Sequence, residues 1–252
     1  MDTMAFQYQI GLFMTSLPTE NKTHKGEKQP SLLWNLIFNL VIPTVILTKL
    51  SSEDYLGIKL AIVIALSFPM GYGLRDLVIA KTVNFFSALG ILSIGLTGGI
   101  SLMELDASYI AVKEAAIPAM LGVATLISLK TSQPLIHTFL LNDAVVNTQS
   151  VSQALTDNNA HQAFEKLLLN ASIFLAGSFF LSAILNYILA VVILTADPGT
   201  ELFNQQLGKM TALSFPVIAL PLTVILAVNL MYIFRGISRL TGLSMEQLLS
   251  KK

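Results

Sequence analysis

Six stretches of this chain, Ser31–Leu50, Ile58–Leu74, Val83–Met103, Ser108–Leu129, Lys166–Ala196 and Met210–Phe234, are almost uninterrupted runs of apolar residues. Each approaches or exceeds the ~18–20 residues that a helix rising 1.5 Å per residue needs to cross about 30 Å of hydrocarbon. A barrel strand would alternate apolar and polar residues over about ten positions, and no such alternation is present. Inside lipid the backbone must satisfy its own hydrogen bonds, which leaves the helix. With 54% hydrophobic and only 12% charged residues, the chain carries about half the charge an ordinary soluble domain needs for its surface. The expected fold class is all-α: a polytopic membrane protein of six transmembrane helices, with the lipid bilayer as its principal partner.

The apolar blocks divide the chain into an N-terminal segment 1–30, a single six-helix domain 31–236 and a tail 237–252. Within the domain the blocks pair as hairpins 31–75, 83–129 and 166–234, with a loop 130–165 as the one long connection. An even number of spans puts both termini on one side. Lys22, Lys25, Lys28, Arg75, Lys81, Lys130, Lys166, Arg235, Arg239, Lys251 and Lys252 fall on that side, leaving Lys49, Lys59, Lys113 and Lys209 on the other. This excess places both termini in the cytoplasm. The first fourteen residues, with Asp2 as their only charge and no small-residue cleavage site, do not read as a signal peptide. In the loop, Asp157 is the expected cap of a helix whose apolar face, Ala160, Phe164 and Leu167, leads into the fifth span, and the loop as a whole reads as helix lying at the cytoplasmic interface. Ser244-Met245-Glu246-Gln247 has the pattern of a capping box opening a short tail helix.

The sequence Ala65-Leu66-Ser67-Phe68-Pro69 recurs as Ala212-Leu213-Ser214-Phe215-Pro216. The same shift of 147 residues superimposes Val45-Ile46-Leu47-Thr48 on Val192-Ile193-Leu194-Thr195 and Asn39 on Asn186, giving thirteen identities between residues 31–74 and 178–221. A fainter shift of 49 aligns Pro69 with Pro118 and Gly73 with Gly122. Both point to duplicated hairpins running in the same sense, a parallel internal repeat.

No phosphate-binding, dinucleotide-binding, zinc-protease or nucleophile-elbow motif occurs. The chain has no Cys, which excludes disulfides, thiolate metal sites and a Cys nucleophile, and His24, His137 and His161 stand at no ligand spacing. A net charge of zero without basic runs gives no reason to expect nucleic acid. The expectation is therefore a protein that is not an enzyme, without catalytic residues, metal or cofactor. The candidate site is instead a set of polar residues inside the apolar blocks. Lys113 and Glu114 sit about 8 Å along the fourth span, where ionisable groups are costly and face a cavity, a partner or a pathway. Asp106, two turns earlier, is a candidate to neutralise Lys113; the alternative is a span that starts nearer Ala115 and leaves these charges among headgroups. Asn39, with Asn35 and Pro43, and Asn186, with Ser178 and Ser182, form polar stripes at four-residue spacing on the first and fifth spans, which serve either as packing glue or as the walls of a polar cavity. Gly95 and Gly99 form a small-xxx-small face for close helix packing and a route to a homo-oligomer.

The order Leu96-Thr97-Gly98-Gly99, Leu102, Asp106, Ile110, Lys113 and Ile117, followed by Gly122, Pro134-Leu135-Ile136, Asn170 and Asn186-Tyr187, resembles the bacterial intracellular septation protein A family. The resemblance runs from about Ser31 to Phe234. It implies a small, cofactor-free protein of the bacterial inner membrane, acting as an envelope- or division-related scaffold or assembly factor with other membrane proteins as partners, and it marks Asp106 and Lys113 as motif positions. Members of that family usually follow the lysine with proline, whereas here Glu114-Ala115 follows, and this chain has a longer N-terminus and central loop. The residues alone leave a second reading open, a small transporter or channel using Asn39, Asn186, Lys113 and Glu114, and a third, a lipid-handling enzyme with a carboxylate base.

Overall fold

The computed structural model describes residues 36–80, 85–131, 136 and 146–249, with the side chains of 72, 75–80 and 85–88 excepted. The expected N-terminal segment 1–30, together with Asn35, His24, His137, Lys251 and Lys252, lies outside these residues. Every regular element described is helical, and no strand occurs among the described residues. In chain order the elements used below are α1 (Ile37–Lys49), α2 (Gly57–Ala80), α3 (Phe85–Leu102), α4 (Ala107–Ser128), α5 (Thr148–Asp157), α6 (His161–Ile193), α7 (Glu201–Thr241) and α8 (Met245–Leu249). Of these, α4, α6 and α7 are long and apolar enough to cross a membrane, which is compatible with a membrane protein; Ile37–Lys49, Gly57–Gly71 and Leu89–Leu102 are apolar but shorter.

Two helices contain π turns beside prolines. Ile37–Val41 opens α1 just before Pro43, and Phe215–Ala219 interrupts α7 around Pro216. Proline has no N–H for the carbonyl four residues back, so the ladder widens locally instead of breaking. α7 thereby continues for 41 residues, nine residues ahead of the apolar block at Met210. Its early start is fixed by Thr200, whose hydroxyl accepts from the Phe203 N–H at 3.1 Å.

The chain divides into two compact units. One holds α1, α2, α3, α4 as far as Ile117, Ala183–Leu220 from α6 and α7, and their connections. In it α1 packs against α2 and α7, and α2 against α3. Gly208 permits the α1–α7 approach: a Cβ there would stand 2.8 Å from Thr48 Cγ2, 3.0 Å from Leu47 Cβ and 3.2 Å from the Thr44 carbonyl oxygen. One turn away, buried Asn204 donates to the Ile58 carbonyl at 2.9 Å and to Ser51 Oγ at 3.2 Å. Three connections meet in this unit. Glu104, in the left-handed region at φ 56°, ends α3 with the paired bonds Leu105 N–H to Ile100 O and Glu104 N–H to Ser101 O of a Schellman turn. Its carboxylate reaches Lys59 at 3.2 Å and lies against Gly199, where φ is +77°.

The other unit comprises Pro118–Ser182 and Pro221–Lys252. Its core joins Val151 and Leu155 of α5 to Phe164, Leu168 and Ala171 of α6, Ile233 and Ile237 of α7 and Leu248 of α8. The loop and tail helices thus share one apolar core. α5 is capped by Asn147, which accepts from the Ser150 N–H at 3.1 Å while its own N–H donates to the Leu248 carbonyl at 2.8 Å. Asp157 ends α5 and does not start α6: Asn159 at φ 50° breaks the helix, and Asn158 donates to the Leu240 carbonyl. The capping box at Ser244 forms as expected, with Ser244 N–H to Gln247 Oε1 at 2.8 Å and Gln247 N–H to Ser244 Oγ at 3.3 Å.

The repeated sequences occupy different local geometry. The first ALSFP lies within an uninterrupted α-helix, the second runs into a π turn. The helix ends at Lys49 and Ile193, and the helix starts at Gly57 and Glu201, are related by 144 residues, three fewer than the sequence offset.

Gly208→Ala forces a methyl against the α1 backbone and is expected to cost about 1–3 kcal/mol, read as a lower unfolding temperature of the protein in lipid nanodiscs. Gly99→Ala, where a Cβ meets nothing within 4 Å, leaves that temperature unchanged or raises it.

Candidate functional site

α3 and α4 face each other across a tight connection of four residues, Met103–Asp106. On α3, Ser93 and Thr97 are one turn apart and so present their hydroxyls on the same face. On α4, Lys113 reaches across to them. Its Nζ lies 2.6 Å from Thr97 Oγ1, 3.1 Å from Ser93 Oγ, 3.3 Å from the Ser93 carbonyl oxygen and 2.6 Å from Glu114 Oε1. The Lys113 side chain is 8% exposed and that of Glu114 27%. An ammonium has three hydrogens, and four oxygens surround this one, so its donors are fully engaged. The Lys113 side chain points into the contact between α3 and α4.

The pair borders a partly open cavity of about 460 Å³ lined also by Asn39 and Pro43 of α1, Pro69 and Gly73 of α2, and Thr211 of α7. The volume lies in the range that holds small-molecule ligands. Thr97 donates its hydroxyl hydrogen to the Ser93 carbonyl at 3.0 Å and Thr211 to the Leu207 carbonyl at 2.9 Å. What these residues offer the cavity is therefore lone pairs. Pro43 and Pro69, without N–H groups, cannot donate to the carbonyls of Asn39 and Ala65 four residues back.

Of the residues expected from sequence, the structure brings Lys113, Glu114 and Asn39 to one cavity. Asp106 is placed elsewhere, which corrects the expectation that it neutralises Lys113. It is exposed at the start of α4, accepts from the Ser108 N–H at 2.8 Å and acts as that helix's cap, while Glu114 partners Lys113. The Ser108 hydroxyl and then its N–H hold the Asp106 carboxyl below the usual carboxylate range. Asn186 is half-buried on α6 and does not line the cavity. In its stripe Ser178 turns its hydroxyl to the Leu175 carbonyl of its own helix. A Cβ added at Gly95 or Gly99 would meet nothing within 4 Å among the described residues. Both glycines line a shallow groove with Ile62, Leu66 and Met70, and the tight approach on α3 falls to Gly98, where a Cβ would stand 3.0 Å from Leu66 Cδ1. Ser93 and Thr211 were not anticipated. Single hydroxyls in an apolar run are ordinary in lipid-facing helices, and only the four-residue spacing from Ser93 to Thr97 hinted at a shared face.

Compared with protein-family models, curated proteins and solved structures, the chain matches none. The resemblance to septation protein A rests on the motif residues alone.

A buried ion pair with its hydrogen bonds satisfied adds little net stability, but removing one member strands the other. Glu114→Gln leaves the more deeply buried charge behind and is expected to lower stability by about 3 kcal/mol or more. Lys113→Met strands the more accessible carboxylate and costs less, and the double variant falls short of the sum of the two; thermal or denaturant unfolding of the four proteins in the same lipid checks the cycle. At Asp106 the folded-state pKa is lowered, so its capping contribution is complete above the ordinary aspartate range near pH 4 and disappears as pH falls through the lower folded value. Asp106→Asn, which caps without titrating, removes that part of the acid sensitivity in a pH series of unfolding temperatures.

Proposed function

We propose that the chain is a six-span protein of the bacterial inner membrane, both termini cytoplasmic, that binds a small polar solute or ion beside Lys113 and Glu114 and passes it across the bilayer. The observation that carries this reading is the buried Lys113–Glu114 pair opening onto the cavity: an ionisable pair of this kind inside an apolar helix bundle marks a solute or ion pathway more often than it marks stability. The six-span arrangement is supported by the three long apolar helices and by the three shorter ones, which fall on the first, second and third apolar blocks. The pairing into hairpins is supported by Lys59, Glu104 and Gly199, from the connecting ends of all three hairpins, meeting in one cluster; the two ALSFP copies then lie in the second helices of the first and third hairpins.

A second reading, the scaffold or assembly factor that the septation protein A resemblance implies, is favoured by the Gly95 and Gly99 face. Among the described residues nothing lies within 4 Å of a Cβ added at either glycine, and small residues of this kind admit a second helix closely.

Purified protein in liposomes, assayed with a panel of small ions and polar solutes, is expected to show flux that Glu114→Gln reduces at least about tenfold, the scale of losing one charge-assisted contact. Flux that Glu114→Gln leaves unchanged removes the pair from the pathway. Absence of flux for every solute, together with crosslinking of Gly99→Cys to an envelope or division protein, replaces the transport reading with the scaffold.

A further inference from the structure

We infer that the solute taken by this cavity is a small monovalent cation, an alkali ion or a primary ammonium, held by Glu114 and by the oxygens that surround the Lys113 ammonium. The inference rests on the solute-binding reading above and adds the sign and chemistry of the ligand.

Three observations converge. First, the two members of the pair are unequally accessible: Lys113 is 8% exposed and Glu114 27%, so a solute entering the cavity meets the carboxylate before the ammonium. Second, the ammonium and the two threonine hydroxyls already have acceptors. Lys113 has three hydrogens and four oxygens within 3.3 Å, and the hydroxyl hydrogens of Thr97 and Thr211 go to the carbonyls of Ser93 and Leu207. An anion drawn to Lys113 would have to pull the ammonium from these oxygens and would meet the more accessible Glu114 carboxylate on the way, whereas a cation that displaces the ammonium finds the same oxygens and is attracted by that carboxylate. Third, the oxygens around Nζ are already an ammonium site. Two hydroxyls, a main-chain carbonyl and a carboxylate surround it, the kind of oxygen set that suits a hard monovalent cation, and its occupant is a primary ammonium carried on the chain itself.

Lys113 is then a built-in competitor. A cation approaching Glu114 meets the repulsion of Lys113 as well as the attraction of the carboxylate, and Coulomb interaction at such range in a partly desolvated site is strong. This arrangement keeps binding weak enough for release, which a pathway across a membrane requires. Displacing the Lys113 ammonium from Glu114 by an incoming cation breaks no covalent bond and transfers no proton.

The full chain in lipid nanodiscs is titrated by calorimetry with potassium chloride, with methylammonium chloride and, as the anion probe, with acetate as its N-methylglucamine salt; the same salts are followed for flux in liposomes. Expected is saturable binding of potassium or methylammonium and none of acetate. Glu114→Gln lowers cation affinity at least about tenfold, and Lys113→Met, which removes the competitor and leaves the carboxylate, raises it by a comparable factor. Acetate binding that Lys113→Met abolishes and Glu114→Gln strengthens overturns the inference and leaves the solute-binding reading in place. Binding and flux of none of the three salts and of no other solute overturn both. If Glu114→Gln, the more destabilised of the two, does not fold, wild type against Lys113→Met still decides, because cation binding that Lys113→Met does not strengthen contradicts the inference.

Discussion

A primary ammonium that has lost most of its water fixes the arrangement of everything around it. Lys113 is buried on a helix whose neighbours are apolar, and moving such a charge out of water costs several kcal/mol even after the surroundings relax. The compensating charge, Glu114, is on the same helix, and the remaining hydrogen bonds come from outside it. Ser93 and Thr97 supply three of the four oxygens around Nζ and both belong to α3. These bonds favour the register of α3 against α4 that keeps Ser93 and Thr97 opposite Lys113. The tight turn between them conforms to the same requirement, with Glu104 accepting a left-handed backbone that most side chains avoid and Asp106 capping α4 at once.

The prolines act on the other side of the cavity. In a soluble bundle a mid-helix proline is a defect costing about 3 kcal/mol. Here Pro43 and Pro69 both line the space that Lys113 and Glu114 border. Lys113, Glu114, Ser93 and Thr97 lie along the same cavity, so proline-interrupted turns and polar side chains share one part of the bundle. The π turn ahead of Pro43 and the one around Pro216 show the accommodation: the helix widens and continues. The prolines account for the irregularity of these helices without any appeal to motion.

The apolar blocks made the helices legible, because block length and lack of alternation are properties of the sequence alone. Their boundaries were less so. α7 starts nine residues ahead of its apolar block because Thr200 caps it and buried Asn204 and Leu207 bind it to its neighbours, and tertiary contact of that kind leaves little trace in hydropathy. The same limit explains Asp106. Its distance of two turns from Lys113 is compatible with pairing, and only the local competition for the Ser108 N–H decides that it caps instead. Lys113 and Glu114 stood out because charge in an apolar run is rare, whereas Ser93 and Thr211 did not, because hydroxyls there are common. Asn39 and Asn186, alike in sequence, separate in the structure: one lines the cavity and the other does not.

Both units expose large apolar side chains, such as Val63 and Val192 in one and Ile173 and Val224 in the other, and they differ in what borders their interiors. The unit containing α5 and α8 has an apolar core of Val151, Leu155, Leu168, Ile237 and Leu248, closed by caps at Asn147 and Ser244, the construction of a small helical bundle whose core excludes water. In the other unit large apolar side chains such as Val41, Val63, Leu92 and Val192 stand outward while the ion pair, hydroxyls and an amide border the interior cavity. Apolar outside and polar inside is the reverse of a water-soluble domain, and contiguous exposed apolar surface on this scale calls for lipid or protein to cover it. A buried ion pair of this kind adds little net stability relative to a packed apolar interior, so the cost of desolvating Lys113 and Glu114 is offset mainly by the hydrogen bonds that Ser93 and Thr97 make to the ammonium.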